Sequence, residues 1–396
     1  MHTIADTRQL LLDGIITPEQ ARIIEVRARE AMVALSINTL LCAGIVAATL
    51  GTIFWLASAP AVALFGTLML IAGLLILARA GAMYRMFGNA AALIGSGMLI
   101  GGAGIELVDK YYDTAPWIML PAGALVAAIA GRALKLGGLT TRFVQGSIFL
   151  MGIALHLAGL GVLVEQWQLN GPAMALVFGY TAVLLAAGGW ITDVRFVTAL
   201  AIAPFAQMLD TGTSYFHAAY VFMSPEPTLS ILQMAALIAA MIWLASRVGE
   251  HTARHARTLT IMAFIVANLC ALVGSLWGDT IGHSIWGPGY AWTLDMTYEQ
   301  WEAAEAAFSA KTLVISENVY SVLWAIALIA IIGWAAHTNR RGLFNAGVTF
   351  AGIHAYTQMF ESFADEPLAY VIGGFAAIPL AWGMWRLNQW LASRTV

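Results

Sequence analysis

The sequence predicts an all-α, polytopic membrane helix bundle of about twelve transmembrane helices, and three observations carry that prediction. Of 396 residues, 60% are hydrophobic and only 10% are charged, with a mean hydropathy of +0.78. A soluble domain is about half apolar and a quarter charged. The apolar residues fall in runs long enough to cross a hydrocarbon core about 30 Å thick, which takes about 20 helical residues. The cations and acids are sorted between alternate connections.

Residues 1–33 are expected to form a cytoplasmic amphipathic helical segment ahead of a bundle over 34–396. Thr7 to Asp13 reads as a short amphipathic turn stopped at Gly14. Thr17-Pro18-Glu19-Gln20 then supplies an N-cap, a proline at the first helical position and a capping-box glutamine. No short apolar region followed by small residues precedes the first span, which is therefore read as retained and not cleaved.

Leu10 to Ala21 reads Leu-Leu-Leu-Asp-Gly-Ile-Ile-Thr-Pro-Glu-Gln-Ala and is followed at once by many spans. Over residues 10–57 the chain resembles the bacterial membrane proteins grouped as domain of unknown function 2157. Beyond that stretch it is similar only as a run of apolar hairpins. The resemblance implies a polytopic inner-membrane protein, and that family has no settled activity from which site residues could be carried over.

The spans are expected near residues 34–57, 60–78, 86–108, 115–131, 143–164, 172–190, 194–210, 229–246, 258–277, 313–336, 343–361 and 367–386. Short cytoplasmic loops retain Lys and Arg. With the N-terminus inside, only Lys110 and Lys311 of the 19 cations fall outside. One missed span would invert every later loop, so this bias supports the count and places both termini in the cytoplasm of a bacterial inner membrane. The acids show the reverse bias, with seven of 22 inside and the rest at or near the outer face. That face should repel anions and concentrate cations, screened within ~8 Å at physiological salt. Tryptophans at span ends, such as Trp55, Trp117, Trp167, Trp277 and Trp334, read as interfacial anchors to the lipid bilayer.

A weak repeat runs through Glu106 to Pro116, Glu165 to Pro172 and Glu361 to Pro367: an acid, a short turn with proline, then a returning helix. Stacked outward hairpins would explain it, and turn chemistry alone would produce much of it. The longest connection, 278–312, turns helical from Thr297, where Thr297 and Gln300 have capping-box spacing and Tyr298, Trp301, Ala304 and Phe308 share a face. Such a helix is either a lid or an interfacial helix lying on the outer leaflet, with the second favoured.

Polar stripes at helical spacing mark the outer halves of several spans. His354, Thr357, Gln358 and Glu361 share one face, and Glu317, Tyr320, Ser321 and Trp324 another. Glu106, Asp109, Lys110 and Asp113 end the third span, and Ser275, Asp279 and His283 the ninth. Gln207 and Asp210 follow Pro204, whose missing donor and ring clash should kink the seventh span. His156 lies within the fifth. Capping, snorkelling or pairing inside the bundle would account for the groups near the interface. Glu317, His354 and His156 are read as deepest, where ionisable groups need a partner, water or a task.

The binding set expected from these stripes is Glu317, His354, Gln358, Glu361, Asp210, His156 and Glu106. It suits transport or binding of a small cation, a proton or another small polar solute in an acidic cavity open to the outside. A membrane enzyme acting on a lipid-linked substrate at the outer leaflet is the alternative, with Glu317 or Glu361 as general base. The sequence has no nucleophile motif and no metal spacing such as His-Glu-x-x-His, so it assigns no catalytic residue, no metal and no cofactor. Haem between His156 and His354 is the weakest reading, because neither histidine has a flanking pattern. A scaffold or assembly factor, docking a protein partner on the N-terminal helices, stays open. The run Arg247 to Arg257, which includes His251 and His255, reads as a topology signal beside anionic headgroups. Nothing suggests a nucleic-acid partner.

Overall fold

The computed structural model describes residues 7–29, 58–79, 85–137, 140–209, 214–216, 221–224, 226–288, 297–338 and 340–363, with single residues or pairs elsewhere. Helix α1 (Thr7–Leu12) ends before Gly14, which takes a positive φ of 67°. Helix α2 covers 18–29 and opens with the expected capping box. Thr17 N–H donates to Gln20 Oε1 at 2.9 Å, and Gln20 N–H to Thr17 Oγ1 at 3.2 Å. Thr7 Oγ1 donates to Glu25 Oε1 at 3.0 Å, folding α1 back on α2.

Eight described helices are long and apolar enough to cross a bilayer, so the chain is a multi-pass, all-α membrane protein. They are α3 (Ala59–Arg79), α4 (Arg85–Lys110), α5 (Ala115–Leu136), α6 (Arg142–Gln166), α7 (Gly171–Thr192), α10 (Pro227–Ala245), α11 (Glu250–Trp277) and α14 (Glu317–His337). Each coincides with an expected span. The expected seventh span is broken into α8 (Arg195–Leu200) and α9 (Ile202–Gln207), and the eleventh is α15 (Arg341–Phe363). Those expected at 34–57 and 367–386 fall largely outside the described residues. The seventh breaks at Ala201, since Pro204 offers no N–H to Leu200 and its ring crowds that carbonyl.

The chain divides into two compact units, Met1–Gln168 and Leu169–Val396. In the first, α3 packs along α4, and α5 along α6. Lipid is as apolar as leucine, so close backbone approach, not hydrophobic exclusion, drives such pairing. A Cβ on Gly66 would lie 2.8 Å from Gly95 O, and one on Gly95 2.7 Å from Gly66 O. Gly123 and Gly152 repeat this reciprocal contact at 2.7 and 2.9 Å, and both glycine pairs are separated by 29 positions. Asn89 Oδ1 accepts from Thr141 N–H at 2.8 Å to join the two hairpins, beside a small core of Ala92, Leu93 and Val144.

In the second unit α7 packs against α8 and α9, α10 against α11, and α14 against α15 and α11. The well-packed pairs in both units are joined at arginine-bearing ends: Arg79 and Arg85, Lys135 and Arg142, Arg195, Arg247, and Arg340 and Arg341. Of the expected outward hairpins, α4 packs far less against α5 than against α3, and the one after Glu361 falls outside the described residues. The acid-proline turns describe the connections, while small residues decide which helices meet.

At the acidic end, β1 (Ser214–Phe216) and β2 (Val221–Met223) form a short antiparallel ladder ahead of α10. Strands β3 (Asp279–Thr280) and β4 (Val314–Ile315) pair antiparallel and clip the end of α11 to the start of α14. Gly278 turns the chain into this clip at φ 68°, where a Cβ would meet Ile315 O at 2.6 Å. Between the strands lie α12 (His283–Trp286) and α13 (Tyr298–Ser309), the latter opening with the expected Thr297–Gln300 capping box. Helix α13 is tied to α12, because His283 Nε2 meets Glu305 Oε2 at 2.9 Å and the His283 ring stands edge-on to Phe308.

Candidate functional site

The start of α10, the end of α11 and the start of α14 meet at the acidic end of the second unit and bury two carboxylates. Glu226, 2% exposed, is held among the described residues by the loop after α11. Its Oε1 accepts from Gly282 N–H at 2.6 Å, and its Oε2 from Ser284 N–H at 3.2 Å and Ser284 Oγ at 2.5 Å. Asp279, 6% exposed, caps α10 from outside that helix. Its Oδ2 accepts from Thr228 N–H at 2.8 Å and from the Tyr320 hydroxyl at 3.2 Å, and Thr228 Oγ1 also bonds Tyr320. A helix N-terminus is a favourable place for negative charge.

Asp279 is nevertheless only half satisfied. Its Oδ1 is buried with no hydrogen-bond partner among the described residues. Burial pushes the carboxyl above the usual carboxylate range, and the charge of Glu226 adds to this, against the lowering effect of the bonds from Thr228 and Tyr320.

Below this pair lies a cavity of about 410 Å³ between α10, α11 and α14. Thr228 and Tyr320 form its polar end, Asn268 and Trp324 stand along one side, and Phe264 and Leu323 contribute apolar wall. Leu232 and Leu323, 60% and 59% exposed, lie at its rim. Asn268 is locked in place: its Nδ2 donates to Phe264 O at 2.8 Å and its Oδ1 accepts from Trp324 Nε1 at 3.0 Å. A mostly apolar space of this size with a few convergent polar groups is the usual form of a small-molecule site.

The expected site residues are placed as follows. His354 packs on Trp324 with ring centroids 4.7 Å apart. Its Nδ1, and Nε2 of Gln358 one turn further on, are buried without a partner among the described residues. Trp324 thus separates the cavity from an unsatisfied polar pair. Glu317 is exposed at the first position of α14, with Asn318 Nδ2 at 3.3 Å from its Oε1. The helix starts there and not at 313, because β4 and the Ser316 cap precede it, which corrects the depth inferred for Glu317. Along α14, Glu317 is about 10 Å from Trp324 and so from the His354 contact.

Two of the expected residues belong to the first unit, and each has a local partner. Glu106 pairs with Lys110 at 2.8 Å, and His156 Nδ1 lies 2.8 Å from Leu120 O, beside Pro121. Asp210 and the Glu361 side chain fall outside the described residues. Sequence reasoning missed Glu226, in a Pro-Glu-Pro stretch that reads as loop, and weighed Asp279 as an interfacial acid.

A second cluster occupies the arginine-bearing end of the same unit. Helix α11 starts at Glu250, well before the expected 258, so the run through Arg257 is a helical extension. His251 and His255 share one face of it, and Asp193, in the left-handed conformation at the end of α7, meets both. Hydrogen bonding from His255, then the neighbouring Arg254 and His251, hold the Asp193 carboxyl below its usual range. Twenty-four residues of helix and turn separate His255 from Asp279, about 36 Å at helical rise.

No family model matches this chain, and no curated protein or solved structure matches it either.

Proposed function

We propose that this protein binds and transports a small amphipathic cation, using the cavity of the second unit as the binding site and Asp279 as the group that exchanges a proton for the ligand's charge. The observation that carries this reading is the joining of a largely apolar cavity, through Thr228 and Tyr320, to a buried carboxyl with an oxygen that has no partner among the described residues. An apolar body fits the walls, with Trp324 and Phe264 offering ring faces to a cation, and an ammonium group fits the polar end. A neutral buried carboxyl needs no counter-charge, whereas an ionised one does. Loss of the Asp279 proton is therefore coupled to arrival of the cation.

The arginine bias supports a bacterial inner-membrane location with both termini in the cytoplasm and the Asp279 end facing outside. The acidic outer surface would concentrate cations there. Likeness of residues 10–57 to domain of unknown function 2157 agrees with the membrane location and adds no activity.

The test uses the purified full chain in nanodiscs, titrated with an alkylammonium ion and with the neutral alcohol of equal chain length. The ammonium should bind more tightly than the alcohol and tighten further as pH rises through the elevated Asp279 pKa. Asp279→Asn should weaken ammonium binding by at least ~10-fold, the value of one lost charge-assisted contact, while leaving the alcohol unchanged. Ala267→Leu, which fills the cavity, should weaken both. Equal affinity for ammonium and alcohol, or an Asp279→Asn protein that binds the ammonium normally, would overturn the proposal. Proteoliposomes carrying the same variants then report whether binding leads to proton-coupled flux.

A further inference from the structure

The geometry points to a second site, for a divalent transition-metal ion of the zinc, cobalt and nickel class, formed by Asp193, His251 and His255 at the arginine-bearing end of the second unit. Histidines four positions apart on a helix present their rings to one side, and here the ring centroids are 5.3 Å apart. Asp193 Oδ1 stands 3.1 Å from His255 Nε2 and 3.5 Å from His251 Nε2. Tetrahedral coordination with bonds of about 2.0–2.1 Å sets neighbouring ligand atoms about 3.3 Å apart, so both nitrogen–oxygen edges already match. All three ligand atoms lie within 4.8 Å of one another. The remaining closure falls to His251, which is about half exposed and can swing.

The surroundings are those of a built site. His255 is buried, and its other nitrogen, Nδ1, lies 2.7 Å from Thr198 Oγ1. With Nδ1–H donating to that hydroxyl, a metal would replace the proton that Nε2 gives to Asp193, the usual supporting arrangement for a ligating histidine. Gly189 makes the contact available, since a Cβ there would lie 2.2 Å from Thr198 Oγ1 and drive α8 away from α7. The His251 ring stands edge-on to Trp190, whose Nε1 donates to Thr252 Oγ1 at 3.0 Å.

Asp193 occupies φ 59°, ψ 35°, where glycine is the inexpensive residue. A carboxylate held there against backbone preference points to a use for its oxygens. Arg254 takes the other oxygen, with its terminal nitrogen 3.4 Å from Oδ2. Asp193 would therefore ligate through Oδ1 alone, leaving a fourth position for water. Imidazole and carboxylate donors select borderline ions over magnesium or calcium. The bound ion would tie α7 and α8 to the start of α11.

The test is a cobalt titration of the full chain, purified through a tag without histidine and held in nanodiscs, followed by zinc competition. One cobalt per chain should bind with the visible bands of four-coordinate cobalt, which zinc should abolish, and zinc should raise the Tm. His251→Gln and His255→Gln should each weaken binding at least ~30-fold, and Thr198→Val about 10-fold, in the range of lost first and outer ligand partners. Arg254→Gln should tighten binding by removing a competing cation. His251→Gln changes an exposed side chain and guards against loss of fold. Absence of cobalt bands in the wild type, or equal cobalt binding by the His251→Gln and His255→Gln double variant, would overturn the inference.

Discussion

Replacing Gly123 with valine is expected to separate α5 from α6 and to cost about 3 kcal/mol or more, the upper range for overpacking a buried contact. A Cβ at this position would lie 2.4 Å from His156 N and 2.7 Å from Gly152 O. Both atoms belong to the backbone of a hydrogen-bonded helix, so no side-chain rotation relieves the clash and one helix must move. That movement also pulls His156 from the Leu120 carbonyl, removing the interhelical hydrogen bond beside Pro121. Gly161, on the exposed face of α6 with nothing within 4 Å, is the control. Gly161→Ala should be neutral or slightly stabilising, since alanine favours helix over glycine by about 1 kcal/mol. Unfolding of the two variants in mixed micelles measures the difference. Gly95→Val should repeat the Gly123→Val result in the other hairpin, because Gly66 and Gly95 make the same reciprocal contact.

What the sequence made legible follows the range of each interaction. The capping boxes at Thr17 and Thr297 are set by side chains three positions apart, and both form as read. The eight apolar helices are set by the thickness of a bilayer, and the break in the seventh span by the missing donor of Pro204. Pairing was not legible in this way. Acid-proline turns drew attention to the outward connections, whereas the reciprocal Gly66–Gly95 and Gly123–Gly152 contacts pack together helices that are connected at their arginine-bearing ends. The equal spacing of those two glycine pairs was a signal in the chain that could have pointed to both pairings.

The sites depend on longer-range contacts. Glu226 acquires its meaning from Gly282 and Ser284, more than fifty positions away. His251 and His255 were visible as a helical pair, but the surrounding arginines gave a sufficient topological explanation, and Asp193 arrives from another hairpin. For His354 the sequence supplied the face but not its neighbour Trp324. Glu317 was placed too deep because a strand and a cap take up the residues read as the first turn of its helix.

The two buried acids at the start of α10 should respond oppositely to neutralisation. Glu226→Gln is expected to cost about 3 kcal/mol, because three donors converge on its two oxygens and a charged acceptor is worth about 1.5–3 kcal/mol per bond when lost. An amide keeps one acceptor oxygen and turns an NH2 group towards a donor that needs an acceptor. Asp279→Asn keeps an oxygen for Thr228 and Tyr320 and removes a charge that burial and Glu226 disfavour. Its effect on stability should therefore depend on pH. Because the folded pKa of Asp279 lies above the unfolded value of about 3.9, the folded chain holds its proton more tightly. The wild type should lose stability as pH rises from the unfolded pKa through the folded one, and Asp279→Asn should lack that loss. At neutral pH the variant should match or exceed the wild type in Tm while binding the ammonium ion at least ~10-fold more weakly. A wild-type Tm that rises across the same pH window would contradict this assignment. A residue whose removal leaves the fold intact and empties the site is retained for its chemistry, and that is the distinction the Glu226→Gln and Asp279→Asn pair draws between support and function.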